Sequence, residues 1–473
     1  MLKKLLLVCC IAPLIIACNK KNYAGTTPEP VDPGTPPLVT DTSHYPPYTW
    51  QEHWFDHRQL VKRVHFNNNI AVYFDDDVNR SKAIWLFDFT DTVWAYTKKV
   101  YGAFGPNDTT NRLFAVYHTG KYGGGHPDTY LNGAHDFRNM IDIGSGWDAW
   151  ENITPWETDV IIHEIAHIVE GGSKAIKESP AFGIWGDSKW AEIFVYDVHD
   201  GIGNNEARDR VYNTCMPITD DYPRANTAWF RNWFYPIYNE YGKAIVLNKY
   251  FDLLSTNFPT KITGGITSYS RALNFGEFIH FWSGAAGVDL SYRALMAFGT
   301  KDKEGKDWQA QLTIAKAAFP RITYSADNNY GKDLTAHATV KVSTENAQGA
   351  ASSEGSLKLI DRDNNTKMYV STYTNNFNAE QTLTSSEAAN AYLITSGNDF
   401  ATRDPKSWVL EGSVDGNTWQ VLDTKTNQTF TYRNEIKTID FTNSTAYKHY
   451  RLRITENAGS TDLQLSEWRL FKK

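Results

Sequence analysis

The sequence predicts an α+β body followed by an all-β sandwich, both carried behind a short amino-terminal leader. Three observations lead there. Between residues 48 and 331, strand-like runs come early and helical stretches dominate later, the pattern of an α+β domain. From 332 to 473, helical periodicity disappears and short strand-like runs recur between turn signals. The length of 473 residues accommodates two or three cores, at roughly 100–200 residues per domain. Composition narrows the function classes. With 41% hydrophobic and 21% charged residues the chain is not disordered as a whole. A net charge of −7 lacks the basic footprint of a nucleic-acid binder. Four cysteines exclude a disulfide-dense scaffold. Aromatics reach 14%, with 16 tryptophans, a surplus that composition alone does not explain.

The leader, residues 1–17, reads as a secretory signal. Lys3 and Lys4 precede an apolar stretch, residues 5–16, too short to span a bilayer. Its end, Leu14-Ile15-Ile16-Ala17-Cys18, resembles the lipobox of bacterial lipoproteins. That resemblance implies cleavage before Cys18, its lipidation, and a lipid-anchored place in the bacterial cell envelope, at the outer membrane or cell surface. An ordinary signal peptide with an incidental cysteine is the alternative. Loss of Lys3 and Lys4 takes the net charge from −7 to −9. Cys9 and Cys10 leave with the signal, so only Cys215 stays a thiol, read as a buried small hydrophobe. Residues 18–47 are Pro-rich around 26–37 and form an extended tether.

In the body, residues 70–74 and 113–117 read as strands. Helical stretches cover residues 93–101, 155–170, 190–198, 228–238, 242–254, 275–283 and 308–319. The second of these is the most informative. Thr154 as N-cap, Pro155 at the first helical position and Glu157 three residues after the cap form a capping box. Gly171-Gly172 offers a left-handed stop. Inside lies His163-Glu164-Ile165-Ala166-His167. Histidines four residues apart share one helix face and can grip a single Zn²⁺. Glu164, about 100° round the helix, reaches a water on the metal without displacing it. Such a carboxylate serves as the general base of hydrolysis.

Zinc needs a third protein ligand. The metzincin extension fails, because Glu170 and Ser173 stand where a Gly and a His are required. Glu192, flanked by Trp190, Ile193 and Phe194, is the leading candidate, since a carboxylate among apolar residues requires a partner. Asp187 and His199 are its rivals, and Asp197 could accept a hydrogen bond from a zinc-binding imidazole. Taken together, His163, Glu164, His167 and Glu192 resemble the gluzincin branch of the zincin metallopeptidases. The loop Glu178-Ser179-Pro180-Ala181-Phe182-Gly183 adds a likeness to the basic-secretory-protein-like and M60-like groups. The Glu192-to-Asp197 spacing is one residue longer than the gluzincin signature, which puts the role of Asp197 in doubt. The resemblance implies a zincin-like metallopeptidase domain over residues 48–331, with an edge strand that pairs with extended substrate. Residues 113–117 or 139–143 are the strand candidates. The Gly-rich run Gly123-Gly124-Gly125-His126-Pro127 reads as a surface turn or a lip of the cleft. His280 is a candidate to stabilise the oxyanion, against the reading of a packed core histidine.

Strand-like runs of the carboxy-terminal part cover residues 338–342, 391–395, 408–413 and 450–454. Three stretches, residues 359–366, 408–419 and 465–471, resemble the F5/8 type C (discoidin-like) domain, which overlaps with family 32 carbohydrate-binding modules. The run Ser413-Val414-Asp415-Gly416-Asn417-Thr418-Trp419 is its most specific part. This resemblance implies a discoidin-like sandwich over residues 332–473 and a structural Ca²⁺, with Asp361, Asp363, Thr366 and Glu467 as oxygen donors. It also implies a glycan ligand, for which Tyr373, Phe377, Phe400 and Arg403 lie in suitable loops. Lys367-Met368-Tyr369 departs from the pattern, standing where the family has a Trp.

The expectation is a surface-anchored zinc metallopeptidase acting on glycosylated or cell-surface protein. It reaches the membrane only through its lipid anchor and has no nucleic-acid partner. A non-catalytic binding lipoprotein on the same scaffold is the alternative. A glycan-degrading enzyme finds no paired-carboxylate motif in the chain.

Overall fold

The computed structural model describes residues 45–54, 57–107, 111–328 and 330–473. The segment expected to be a signal, Cys18, and the stretch expected to be a tether up to residue 44 lie outside the described residues. Six strands build the first sheet: β1 (Thr49–Gln51), β2 (Leu60–Phe66), β3 (Ile70–Phe74), β4 (Leu113–Thr119), β5 (Gly124–Asp128) and β6 (Asn139–Ser145). Their order is β1-β2-β3-β4-β6-β5. Strands β3, β4 and β6 run parallel, while β5 lies antiparallel to β6 at the sheet's edge. The two continuous apolar runs of the sequence, β3 and β4, are buried along their whole length because both faces of the sheet are covered. One face, with Val72, Ala115, Tyr117, Ile141 and Ile143, belongs to the main core. The other, with Tyr73, Phe114, Val116 and Met140, packs under Trp50 and Val61.

Among the described residues, ten helices follow the early strands or intervene among them: α1 (Trp85–Tyr101), α2 (Pro155–Gly172), α3 (Phe182–Trp185), α4 (Lys189–Gly201), α5 (Asn205–Cys215), α6 (Tyr235–Glu240), α7 (Ala244–Asn257), α8 (Phe275–Ala286), α9 (Ser291–Phe298) and α10 (Trp308–Ala318). A π-turn, Phe230–Phe234, leads into α6, and a small hairpin, β7 (Thr260–Thr263) and β8 (Ile266–Tyr269), precedes α8. Helix α2 begins on the capping box: Thr154 Oγ1 accepts from Glu157 N, and Glu157 Oε2 accepts from Thr154 N. It does not end on a left-handed glycine. Gly171 and Gly172 stay inside the helix, where a Cβ on Gly172 would meet Thr129 Cγ2 at 3.0 Å. The glycines therefore let the segment after β5 approach the helix, and the positive φ falls on Lys174 and Ala175 instead.

The carboxy-terminal part is a β-sandwich. Its strands are β9 (Lys332–Asp333), β10 (Thr339–Val342), β11 (Met368–Val370), β12 (Phe377–Glu387), β13 (Ala391–Thr395), β14 (Pro405–Ser413), β15 (Gln420–Lys425), β16 (Ile436–Asp440), β17 (Tyr447–Asn457), β18 (Leu463–Leu465) and β19 (Glu467–Lys472). A five-stranded sheet, β10-β12-β17-β14-β15, faces a four-stranded sheet, β16-β13-β19-β9, and β11 pairs with β18. Period-two burial along β12 and β17 places Phe377, Ala379, Leu452 and Ile454 in the core with Trp408 and Trp468. Residues 46–473 hold together as one unit, with the two cores joined rather than merely tethered. Met296 and Tyr330 pack with Ala391, Leu393 and Phe471. Asn364 Nδ2 donates to Met296 O at 2.8 Å, and Arg231 Nη2 to Arg433 O at 3.0 Å. Eleven of the 16 tryptophans are buried, so most of the aromatic surplus fills cores rather than meeting sugars. Among the described residues, no helix is long and apolar enough to cross a membrane.

Candidate active site

Helix α2, strand β5, the loop before α4, and the faces of α4 and α5 enclose a cleft of about 980 Å³. His163 and His167 stand on its wall one turn apart, with their Nε2 atoms 3.2 Å from each other. Two ring nitrogens that close cannot both carry protons. A tetrahedral zinc at roughly 2.0–2.1 Å from each ligand sets neighbouring donors about 3.3 Å apart, which matches this pair. Burial and the neighbouring His167 hold the His163 imidazole down to about 4, in its neutral, metal-ligating form. His167 Nδ1 donates to Glu170 Oε2 at 3.1 Å, which leaves its Nε2 lone pair aimed at the cluster. Burial raises the Glu170 carboxyl, although the His167 contact and the bond from Trp185 Nε1 oppose the shift.

The third member of the cluster is Asp187. Its carboxylate lies 3.4 Å from His167 Nε2 and 3.8 Å from His163 Nε2, so the three side chains bring their ligand atoms close enough together to share one metal ion. Glu192 lines the same cleft but is not a member of that group. It sits in the first turn of α4, five residues beyond Asp187, where burial pushes its carboxyl up to about 7. The charge of Lys189 opposes that shift and the charge of Asp220 adds to it. His199, the other rival, is bonded to Asp159 Oδ1 at 2.9 Å, and Arg210 forks onto the same carboxylate. Asp197 accepts from Tyr96 and Tyr101 hydroxyls rather than from an imidazole. Glu170 takes the place expected of it.

Glu164 points into the cleft beside the histidines, 4% exposed, and burial pushes its carboxyl up to about 7. Gly125 is pressed against it: a Cβ there would fall 2.4 Å from the Glu164 carboxyl carbon. The Gly-rich run is thus neither a turn nor a loose lip. It forms β5, the edge strand along the cleft, while the two segments proposed for that role, β4 and β6, lie in the interior of the sheet. His280 is misplaced for catalysis. It is 1% exposed within α8, its Nδ1 at 2.9 Å from Tyr324 Oη and its Nε2 at 3.2 Å from Phe319 O, and it does not line the cleft. Sequence reasoning missed the role of Glu170, whose signal was its place three residues after His167 on the same face.

In the sandwich, three of the calcium candidates, Asp361, Asp363 and Thr366, share one loop beside Glu467 at the start of β19, but cations already hold the carboxylates. Arg224 pairs with Asp363, Lys358 with Asp361 at 3.1 Å, and Arg469 with Glu467 at 3.2 Å. Thr366 Oγ1 donates to Asp361, and Glu467 Oε1 accepts from the amides of Arg362 and Asp363. These residues do not fit a calcium site; Asp363 ties the loop to the α+β body through Arg224, while the other pairs lie within the sandwich. Phe377 is core, and Tyr373 packs against it. Phe400 is exposed, with the Arg403 guanidinium 4.4 Å above its ring and 4.9 Å from that of Tyr369.

No protein-family model matches the chain. A stretch of 53 residues is 51% identical to a peptide-N(4)-(N-acetyl-β-glucosaminyl)asparagine amidase from Arabidopsis thaliana, covering 11% of this chain and 7% of that protein. Among solved structures, a family 32 carbohydrate-binding module from Clostridium perfringens in complex with GalNAc-β-1,3-galactose aligns with 30% of this chain and 100% of its own, at 16% identity and a TM-score of 0.27. The F5/8 type C domain of a Bacteroides fragilis protein covers 31% of this chain and 99% of its own, at 14% identity and a TM-score of 0.28. A family 32 module from Streptococcus pneumoniae EndoD covers 30% and 100%, at 12% identity and a TM-score of 0.26.

Proposed function

We propose that this chain is a zinc-dependent metallopeptidase, lipid-anchored in the cell envelope, whose sandwich domain holds it against glycan-bearing protein. The observation that carries the reading is the convergence of His163, His167 and Asp187 in a cleft whose wall also presents Glu164. Two imidazoles and one carboxylate, with the remaining side open to a cleft, fit a catalytic zinc site. Bound there, zinc supplies Lewis acidity, acidifying water and polarising a carbonyl. Glu164 takes the proton from the attacking water and delivers it to the departing amine nitrogen. Glu170 holds His167 in the required tautomer. The outer edge of β5 offers backbone groups to an extended polypeptide, which would lie along the strand past Glu164. The glycan part of the reading rests on the aromatic and cationic group of Tyr369, Phe400 and Arg403, and the Clostridium perfringens module was solved with GalNAc-β-1,3-galactose. The amidase match spans too little of either protein to carry an activity over.

The test is cleavage of a glycoprotein panel together with zinc content, for the wild type, Glu164→Gln, Asp187→Ala and Glu192→Ala. The reading expects Asp187→Ala to lose one equivalent of zinc and Glu192→Ala to keep it. It expects Glu164→Gln to retain metal with cleavage reduced by about 10²–10⁴-fold. Cleavage indifferent to Glu164 would leave a binding lipoprotein on the same scaffold as the better account.

A further inference from the structure

The opposite face of the sheet from α2 holds a second cluster that the peptidase reading does not use. Glu52 follows β1, His57 lies in the next loop, His118 is on β4 and Asp142 on β6. All four are buried, at 2, 4, 0 and 0% exposure. Their ligand atoms lie within 4.8 Å of one another. Glu52 Oε1 stands 2.6 Å from His118 Nε2, and Asp142 Oδ1 is 3.1 Å from the same nitrogen and 3.3 Å from His57 Nδ1. Yet Glu52 Oε1, His118 Nε2 and both Asp142 oxygens meet no aligned hydrogen-bond partner. Close approach without alignment is the geometry of donors converging on a common centre rather than pairing with each other.

We propose that Glu52, His57, His118 and Asp142 form a second metal site, for a divalent transition ion of the zinc type. Two imidazole nitrogens and two carboxylate oxygens suit zinc and its neighbours, whereas calcium and magnesium prefer oxygen alone. Two carboxylates neutralise a divalent ion, which removes the penalty of burying both acids. The outer shell is in place: His118 Nδ1 faces Asp75 Oδ2 at 3.2 Å, and Lys121 Nζ holds that carboxylate at 2.7 Å. Without a metal, burial would discharge His118, but Asp142 and Glu52 override it and push the imidazole up to about 10. A trapped imidazolium is therefore the rival occupant.

The site braces the cleft without being part of it. Asp142 is the register partner of His126 on β5, next to the glycine that packs on Glu164. His118 O accepts from Trp150 Nε1, and Trp150 N donates to Glu157 Oε1 in the capping box of α2. An ion here would pin both walls of the cleft from behind.

The test uses the chain stripped with chelator, loaded with zinc chloride and dialysed. The double variant His163→Ala/His167→Ala removes the cleft pair, and the proposal expects it to retain one equivalent of zinc with a zinc-dependent rise in Tm. Adding Asp142→Asn to that variant should abolish the retained equivalent or weaken its binding at least tenfold. Cobalt in place of zinc gives a second readout, a visible d–d spectrum in the double variant that Asp142→Asn alters. A folded double variant that holds no zinc and shows no Tm shift overturns the proposal in favour of the imidazolium. The cleft reading is judged separately, by the equivalent that the wild type holds beyond the double variant.

Discussion

At Gly125 a single methyl group decides whether the cleft can work. The Cβ of an alanine would fall 2.4 Å from the Glu164 carboxyl carbon, so either β5 or the Glu164 side chain has to move. Gly125→Ala is expected to cut cleavage at least tenfold while zinc content stays unchanged, read by steady-state kinetics beside metal analysis. The same scale separates Asp187 from Glu192. Both are acids that face the cleft, and only one stands against the two imidazoles. His163, Glu164 and His167 were legible in the sequence because a helix fixes their geometry at a spacing of four. Asp187 was legible only as a rival, because it sits in the loop after α3, where no periodicity dictates direction. Burial correctly singled out Glu192 as a perturbed acid but did not say which partner it faces.

At the scale of the element, α2 and the Asp415 turn each rest on one side chain. Thr154→Ala removes the cap of α2, and a loss of about 1 kcal/mol is expected in chemical denaturation. In the Ser413–Trp419 run, the Asp415 carboxylate accepts from the amides of Asn417 and Thr418, and these bonds with Ser413 lower its pKa from 3.8 to about 2. Because the folded value lies below the unfolded one, the stabilisation is present above about pH 4 and lost as pH falls through about 2. Asp415→Ala should therefore be less stable than wild type at pH 7, with the gap closing near pH 2 in urea melts. A constant gap would mean that the carboxylate charge is irrelevant to the turn. Helix α2 and strands β3 and β13 could be read from the chain because their signals are local. Strand β5 could not, because glycines and a proline carry no strand propensity, and its place is set by pairing with β6 and packing on α2.

At the scale of the molecule, the loop at 361–366 joins the sandwich to the α+β body, and the two are expected to unfold as one. Asn364, 3% exposed, ties that loop to Met296 O, and Arg224 holds Asp363. Asn364→Ala leaves a buried carbonyl unpaired, a cost of about 1–3 kcal/mol, and should split a single calorimetric transition into two. The change of texture near residue 331 falls where the helices give way to the strands from β9 onward, but nothing in the sequence showed that loop meeting the body, since its partners lie some 70 to 140 residues away along the chain. The account as a whole stands on the cleft being a working hydrolytic site. Its most direct measurement is peptide-bond cleavage of a denatured protein substrate by wild type and Glu164→Gln at matched zinc content. The account predicts cleavage by the wild type that falls by two or more orders of magnitude in the variant; equal rates, or none from a zinc-loaded wild type, would contradict it.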